Sequence, residues 1–114
     1  MKTQIVVRFR LSGLHRWEEC PHEDVSYLKN DHRHLFYFEV KAKVTHDNRD
    51  LEFMQVQYQV KRYLLDKYFN HTHDCLYFDT MSCEMICKDI LKKFQYLSEC
   101  SVFEDGENGA IVSG

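Results

Sequence analysis

Three histidines stand at spacings that suit a single metal ion. In His32-Arg33-His34 the two imidazoles are at i and i+2. In an extended chain such residues point to one face, a few ångströms apart. They share the parity of Phe36, Phe38 and Val40, the apolar side of the segment that follows. His15 continues the parity of Ile5, Val7, Phe9 and Leu11. If these two segments pair, all three imidazoles converge on the buried side of a sheet. Three neutral imidazoles with one open position describe a catalytic zinc site. The open position lets the metal polarise a substrate oxygen. The competing reading of an H-x-H pair is two solvated or hydrogen-bonded histidines. His22 and His46 read as solvated loop or strand-end residues.

A second dense group is His71-Thr72-His73-Asp74-Cys75. A histidine beside a carboxylate can serve as an acid–base pair. The same group also reads as a separate metal site through His71, His73 and Cys75, or as a polar loop. Cys83 and Cys87, one helical turn apart, can share a metal or pack as small apolar residues. Lys29, Arg16 and Arg33 are the candidate contacts for phosphate groups.

The elements that must position these residues can be read from periodicity. Residues 4–11 alternate as a strand with the odd face apolar. Residues 35–45 alternate more cleanly, with the even face apolar. Between them a loop spans roughly residues 13–31 and holds Pro21. From Leu51 the period changes: Phe53, Val56, Val60 and Leu64 recur at helical spacing to about Tyr68. Asp50 is placed to cap that helix. A second helix follows Ser82, its expected N-cap, with the stripe Cys83, Ile86, Ile90, Phe94 and Leu97. Residues 101–104 and 110–112 form a hairpin around Asp105-Gly106-Glu107-Asn108-Gly109. The order β-β-α-α-β-β predicts an α+β domain over residues 1–114. Its expected form is a four-stranded antiparallel sheet with two helices on one face. The exposed edges of so small a sheet favour oligomerisation.

Bulk properties exclude several functions. There are 15 Lys and Arg against 18 Asp and Glu, a formal net charge of -3. A nucleic-acid-binding domain is normally basic, so no nucleic-acid partner is expected. Four glycines and one proline leave no glycine-rich phosphate loop. No run approaches the roughly 18 apolar residues that cross a bilayer. With no signal-peptide pattern at the start, a cytoplasmic location is the expectation. Five irregularly spaced cysteines read as reduced thiols rather than a disulfide framework.

Taken in order, the residues carry a resemblance. The series is Phe9-x5-His15, then His32-Arg33-His34-Leu35-Phe36, two helices, Ser82-Cys83-Glu84, and finally Val102-Phe103-Glu104. The chain resembles the 6-pyruvoyl-tetrahydropterin synthase and 6-carboxy-tetrahydropterin synthase family, the tunnelling fold. The likeness runs through nearly the whole chain. It implies that His15, His32 and His34 hold Zn2+. It implies that Glu104, or alternatively Glu107, anchors a pterin or purine through paired N–H bonds to a carboxylate. Cys20, His71, His73 and Asp74 would carry the acid–base chemistry. The sequence departs from the family pattern at Arg33, where a glycine is usual. Cys20 lies twelve residues before His32 rather than a few, and the order of the interhelical Asp-His pair differs.

The implied function is a zinc-dependent 6-carboxy-tetrahydropterin synthase-like enzyme. Its substrate would be dihydroneopterin triphosphate or a related pterin, with the product feeding queuosine-type chemistry. The alternative is a non-catalytic purine- or pterin-nucleotide-binding protein, of a kind phages carry to sequester a nucleotide signal. Homotrimers or hexamers with sites between subunits are implied in either case.

Overall fold

The structure, a computed structural model, describes residues 1–114. Strand β1 spans Thr3–His15 and β2 spans His32–Val44. They pair antiparallel from Thr3↔Val44 to His15↔His32. A 3-10 helix, Glu23–Lys29, lies in the loop between them. Helix α1 covers Phe53–Tyr68, and two short strands follow, β3 (Phe69–Asn70) and β4 (Cys75–Tyr77). Helix α2 covers Cys83–Lys93, and β5 (Leu97–Glu104) and β6 (Asn108–Ser113) close the chain.

The sheet has six strands in the order β3-β4-β1-β2-β5-β6, not the four expected. The two additional strands flank the polar interhelical turn and, at two and three residues, are too short to show a period. Nor is the sheet wholly antiparallel, because β4 runs parallel to β1 through Gly13↔Leu76 and Leu14↔Tyr77. A parallel neighbour needs a long crossover, which β2 and α1 supply. Both long strands also reach further than their clean alternation: β1 extends to His15 and β2 begins at His32. No helix is long and apolar enough to cross a membrane.

Alternation decides which face the helices cover. Val7, Phe9, Phe36, Phe38, Val40, Ala42, Cys100 and Val102 are buried beneath Val56, Val60, Leu64, Ile86, Cys87 and Ile90. Phe53, at the start of the α1 stripe, stays exposed. The opposite face carries ion pairs such as Arg8–Glu39 at 2.6 Å and Lys41–Glu99 at 3.1 Å. Asp50 does not cap α1. Its carboxylate accepts from the Thr45 amide (2.7 Å) and hydroxyl, while Glu52 accepts from the Met54 amide (2.9 Å). Ser82 caps α2 by accepting from the Met85 amide at 3.2 Å. Asp89 on α2 accepts from Tyr63, Lys67 and Tyr68 of α1 and ties the helices together.

Two glycines are required by close approaches: at Gly109 a Cβ would overlap the Val102 carbonyl oxygen and the Phe103 Cα, and at Gly13 it would press on two rings. Gly13 lies opposite His34 in the ladder. A Cβ there would meet the Phe36 ring at 3.0 Å and the Phe78 ring at 3.1 Å. Both rings are almost fully buried, so neither can yield cheaply. Gly13→Ala is expected to lower stability by about 1–3 kcal/mol through overpacking. A denaturant midpoint equal to that of the unsubstituted chain would contradict this.

Candidate metal centre

The antiparallel register builds the histidine cluster. His15 lies directly across from His32, and His34 is two residues further along the same face of β2. The ring centroids are 4.6 Å apart for His15–His32, 4.9 Å for His32–His34 and 5.3 Å for His15–His34. One nitrogen from each ring lies within 4.8 Å of the others, and no other group brings three such ligand atoms together. The Phe36 ring meets the edges of His15 and His34 from below, at 5.2 and 5.6 Å.

Each ring is aimed by its other nitrogen. His15 Nδ1 is 2.9 Å from the Met81 carbonyl oxygen and His32 Nδ1 is 2.9 Å from the Asn30 carbonyl oxygen. His34 Nδ1 is 2.7 Å from Asp105 Oδ2. These oxygens only accept, so each Nδ1 carries the proton. The Nε2 of a neutral ring then presents its lone pair to the centre. This is the outer-shell arrangement that orients metal-binding histidines.

Glu104 sharpens the demand for a cation. Its Oε2 lies 2.9 Å from His15 Nε2 and its Oε1 lies 3.6 Å from His34 Nε2. Neither nitrogen is aligned as a hydrogen bond, and both are buried without a partner. Lone pairs and a carboxylate facing one another require a positive charge between them. A proton meets the need in part. Burial alone would lower the His15 pKa, but Glu104 and the Met81 carbonyl outweigh it and raise the pKa. The contact with His15 holds Glu104 below the usual carboxylate range despite its burial. His32 is lowered, first by burial and then by its imidazole neighbours. A divalent cation answers the same need for all three rings.

The centre opens into a cavity of about 440 Å³ lined by 14 residues, among them His15, His32, Glu104, Ser82 and Cys83. The other expected site residues stand elsewhere. Cys20 is buried in the β1–β2 loop, its thiol donating to the His22 and Val25 carbonyls at 3.7 Å, and it does not line the cavity. Four residues before His32 it is Leu28 that reaches the cavity. His71, His73 and Asp74 form an exposed turn between β3 and β4, also outside it. Their rings pack on Phe69 and Tyr77. Glu107 sits in the β5–β6 turn and lines a groove with Arg8, Arg10 and Tyr37.

Two more residues touch the cluster in ways the sequence reading did not assign. Cys83 belongs to the α2 stripe, yet its thiol faces Glu104 Oε2 at 3.8 Å inside the cavity. Burial, reinforced by Glu104, pushes that thiol up to about 12, so it stays protonated and serves as a donor. Asp105 looks like a turn residue, and it is one: Asp105 and Gly106 both have positive φ, of 56° and 73°. Its carboxylate nevertheless orients His34 and also accepts from the Leu35 amide at 2.9 Å. That double contact locks the β5–β6 turn to the start of β2.

No protein-family model matches the chain, and no curated protein matches it in sequence. Solved structures do match in fold. A 6-pyruvoyl tetrahydropterin synthase from Caenorhabditis elegans superposes with a TM-score of 0.72 at 12% identity, covering 100% of this chain and 96% of that one. An uncharacterized protein from Wolinella succinogenes gives 0.68 at 12% identity, covering 100% and 99%. At this identity the likeness establishes a shared fold, that of 6-pyruvoyl tetrahydropterin synthase.

Metal-free protein titrated with Zn2+ in a calorimeter is expected to bind one ion per chain. Binding should weaken as pH falls through the histidine range, because the ion must displace the His15 proton. Asp105→Asn should cost roughly 10- to 100-fold in affinity. Unchanged affinity in that variant, or in His32→Ala with His34→Ala, would contradict the site.

Proposed function

We propose that this chain is a zinc-dependent enzyme acting on a pterin, of the type represented by 6-carboxy-tetrahydropterin synthases, with dihydroneopterin triphosphate as the first substrate to test. The observation that carries the reading is the set of inward-facing Nε2 atoms, two of them buried and unpartnered, beside a carboxylate in an open cavity. The shared fold with a pterin synthase supports the choice of ligand.

His15, His32 and His34 would hold the ion, and when bound it supplies Lewis acidity toward a substrate hydroxyl. The remaining residues divide the work by position. Glu104 is the carboxylate able to accept two parallel N–H bonds from a lactam and amine edge. The Cys83 thiol, kept protonated, donates toward that carboxylate and fixes its rotamer. Cys20 holds the β1–β2 loop rather than facing the substrate.

Acid–base residues would then come from a neighbouring subunit. β3 and β6 are the two edges of the sheet. The cavity includes Asn108 and Gly109 of β6, whereas His71, His73 and Asp74 adjoin β3. Pairing the β6 edge of one copy with the β3 edge of the next would bring that turn toward the cavity. Such a head-to-tail contact closes into a ring, as in a trimer or a stacked hexamer.

Incubation of the zinc-loaded protein with dihydroneopterin triphosphate should give turnover. Glu104→Gln should weaken pterin binding about 10- to 100-fold through loss of a charge-assisted pair. Mixing His32→Ala, His34→Ala protein with His71→Ala, His73→Ala protein should restore part of the activity that each lacks. Tight pterin binding with no turnover would replace the enzyme with a non-catalytic pterin-binding protein. Unaltered affinity in Glu104→Gln would remove its anchoring role.

A further inference from the structure

The cavity differs in character between its buried and its solvent ends. Its most buried lining residues are His15 and Cys83, at 7% and 6% exposure. Its open end carries two large apolar side chains, Trp17 and Met85, at 45% and 53%. Trp17 is the only tryptophan in the chain. An indole left this open presents a large apolar surface at the mouth of the cavity.

The loop that carries Trp17 is held in place. The Trp17 amide donates to the Leu28 carbonyl at 2.7 Å, and the Trp17 carbonyl accepts from the Cys20 amide at 3.2 Å. Cys20 in turn is buried, and its thiol meets two carbonyls of the same loop. The one aromatic neighbour of the indole, His22, lies at 5.7 Å and 66°, an edge contact. The backbone that carries the ring is therefore held in advance of any ligand.

Arg16, adjacent in sequence, is the only Lys or Arg lining the cavity, and it is already committed. Its guanidinium lies 2.7 Å from Asp79, 3.3 Å from Asp31 and 3.6 Å from Glu18. Glu84 and Glu104 add negative charge to the same lining. The open end thus offers a flat aromatic surface and no free cation.

We infer that Trp17 is the stacking wall of this cavity, recognising the ring of a planar heterocycle rather than its phosphates. The inference rests on the pterin reading and narrows it: the ring is held between Trp17 and Glu104, and phosphorylation adds no affinity. Stacking of a heterocycle on an aromatic side chain supports roughly a 10- to 100-fold gain in binding.

Calorimetry with neopterin and with neopterin triphosphate on the zinc-loaded protein tests this, together with quenching of the single tryptophan corrected for pterin absorption. Neopterin is expected to quench Trp17 and to bind at least as tightly as the triphosphate. Trp17→Ala should lose about 10- to 100-fold in affinity, and Trp17→Phe should recover most of it. Circular dichroism of both variants should match the unsubstituted chain, as expected for so exposed a side chain. Equal affinity in Trp17→Ala, or clearly tighter binding of the triphosphate, overturns the inference and leaves the pterin reading standing. Failure of the unsubstituted protein to bind either pterin overturns both.

Discussion

The pairing of β1 with β2 is the constraint on which the rest depends. Its register sets His15 against His32 and Gly13 against His34. A shift of one residue would carry every side chain of one strand to the opposite face and dissolve the cluster. That register is secured far from the site. Val7, Phe9, Phe36, Phe38, Val40 and Ala42 must all face the helices at once. The apolar core thus fixes the geometry of a polar centre at its end, and Phe36 belongs to both.

A second layer of constraint comes from one neighbouring segment and two distant in sequence. The three Nδ1 tethers end on Asn30, Met81 and Asp105. They come from the β1–β2 loop, the approach to α2 and the β5–β6 turn. Three separate connections therefore meet at one point on the sheet. Histidines held this way lose little freedom when they take up a ligand, which is why such outer contacts strengthen metal binding. They also fix the tautomer. The excess of acceptors at the centre follows directly from that choice.

The chemistry at the centre is better defined than the chemistry around it. Glu104 faces the same nitrogens that would hold an ion. Its role turns on whether it remains beside the ion or swings toward a ligand. Cys83 and Asp105, one behind each end of this arrangement, influence that choice by contact. By contrast, Cys20 and the His71–Asp74 turn contribute nothing to the cavity of their own chain. Cys20 shapes the loop that presents Trp17, and the turn adjoins a free sheet edge. Copies of the chain meeting edge to edge would bring those scattered groups together.

Local patterning in the sequence was sufficient for the two long strands, α1, the start of α2 with its Ser82 cap, and the shared parity of His15, His32 and His34; the α2 stripe overran its end, since Phe94 caps the helix and Leu97 opens β5. Period-two and period-3.6 patterns are properties of neighbouring residues, so a single chain displays them. It was insufficient for β3 and β4, two and three residues long, whose existence depends on β1 offering a partner edge. Nor did spacing separate Cys20 from Cys83: both are buried, and only the packing of α2 against β5 turns Cys83 toward Glu104. Glu52 caps α1 in place of Asp50 because Thr45, just after β2, already occupies the Asp50 carboxylate. The sequence by itself determined which residues are able to bind a metal and on which face they stand. Only the tertiary structure decided which nitrogen of His15 and His34 faces inward, because that depends on acceptors brought from remote segments, Met81 and Asp105, whereas the His32 acceptor, Asn30, is local.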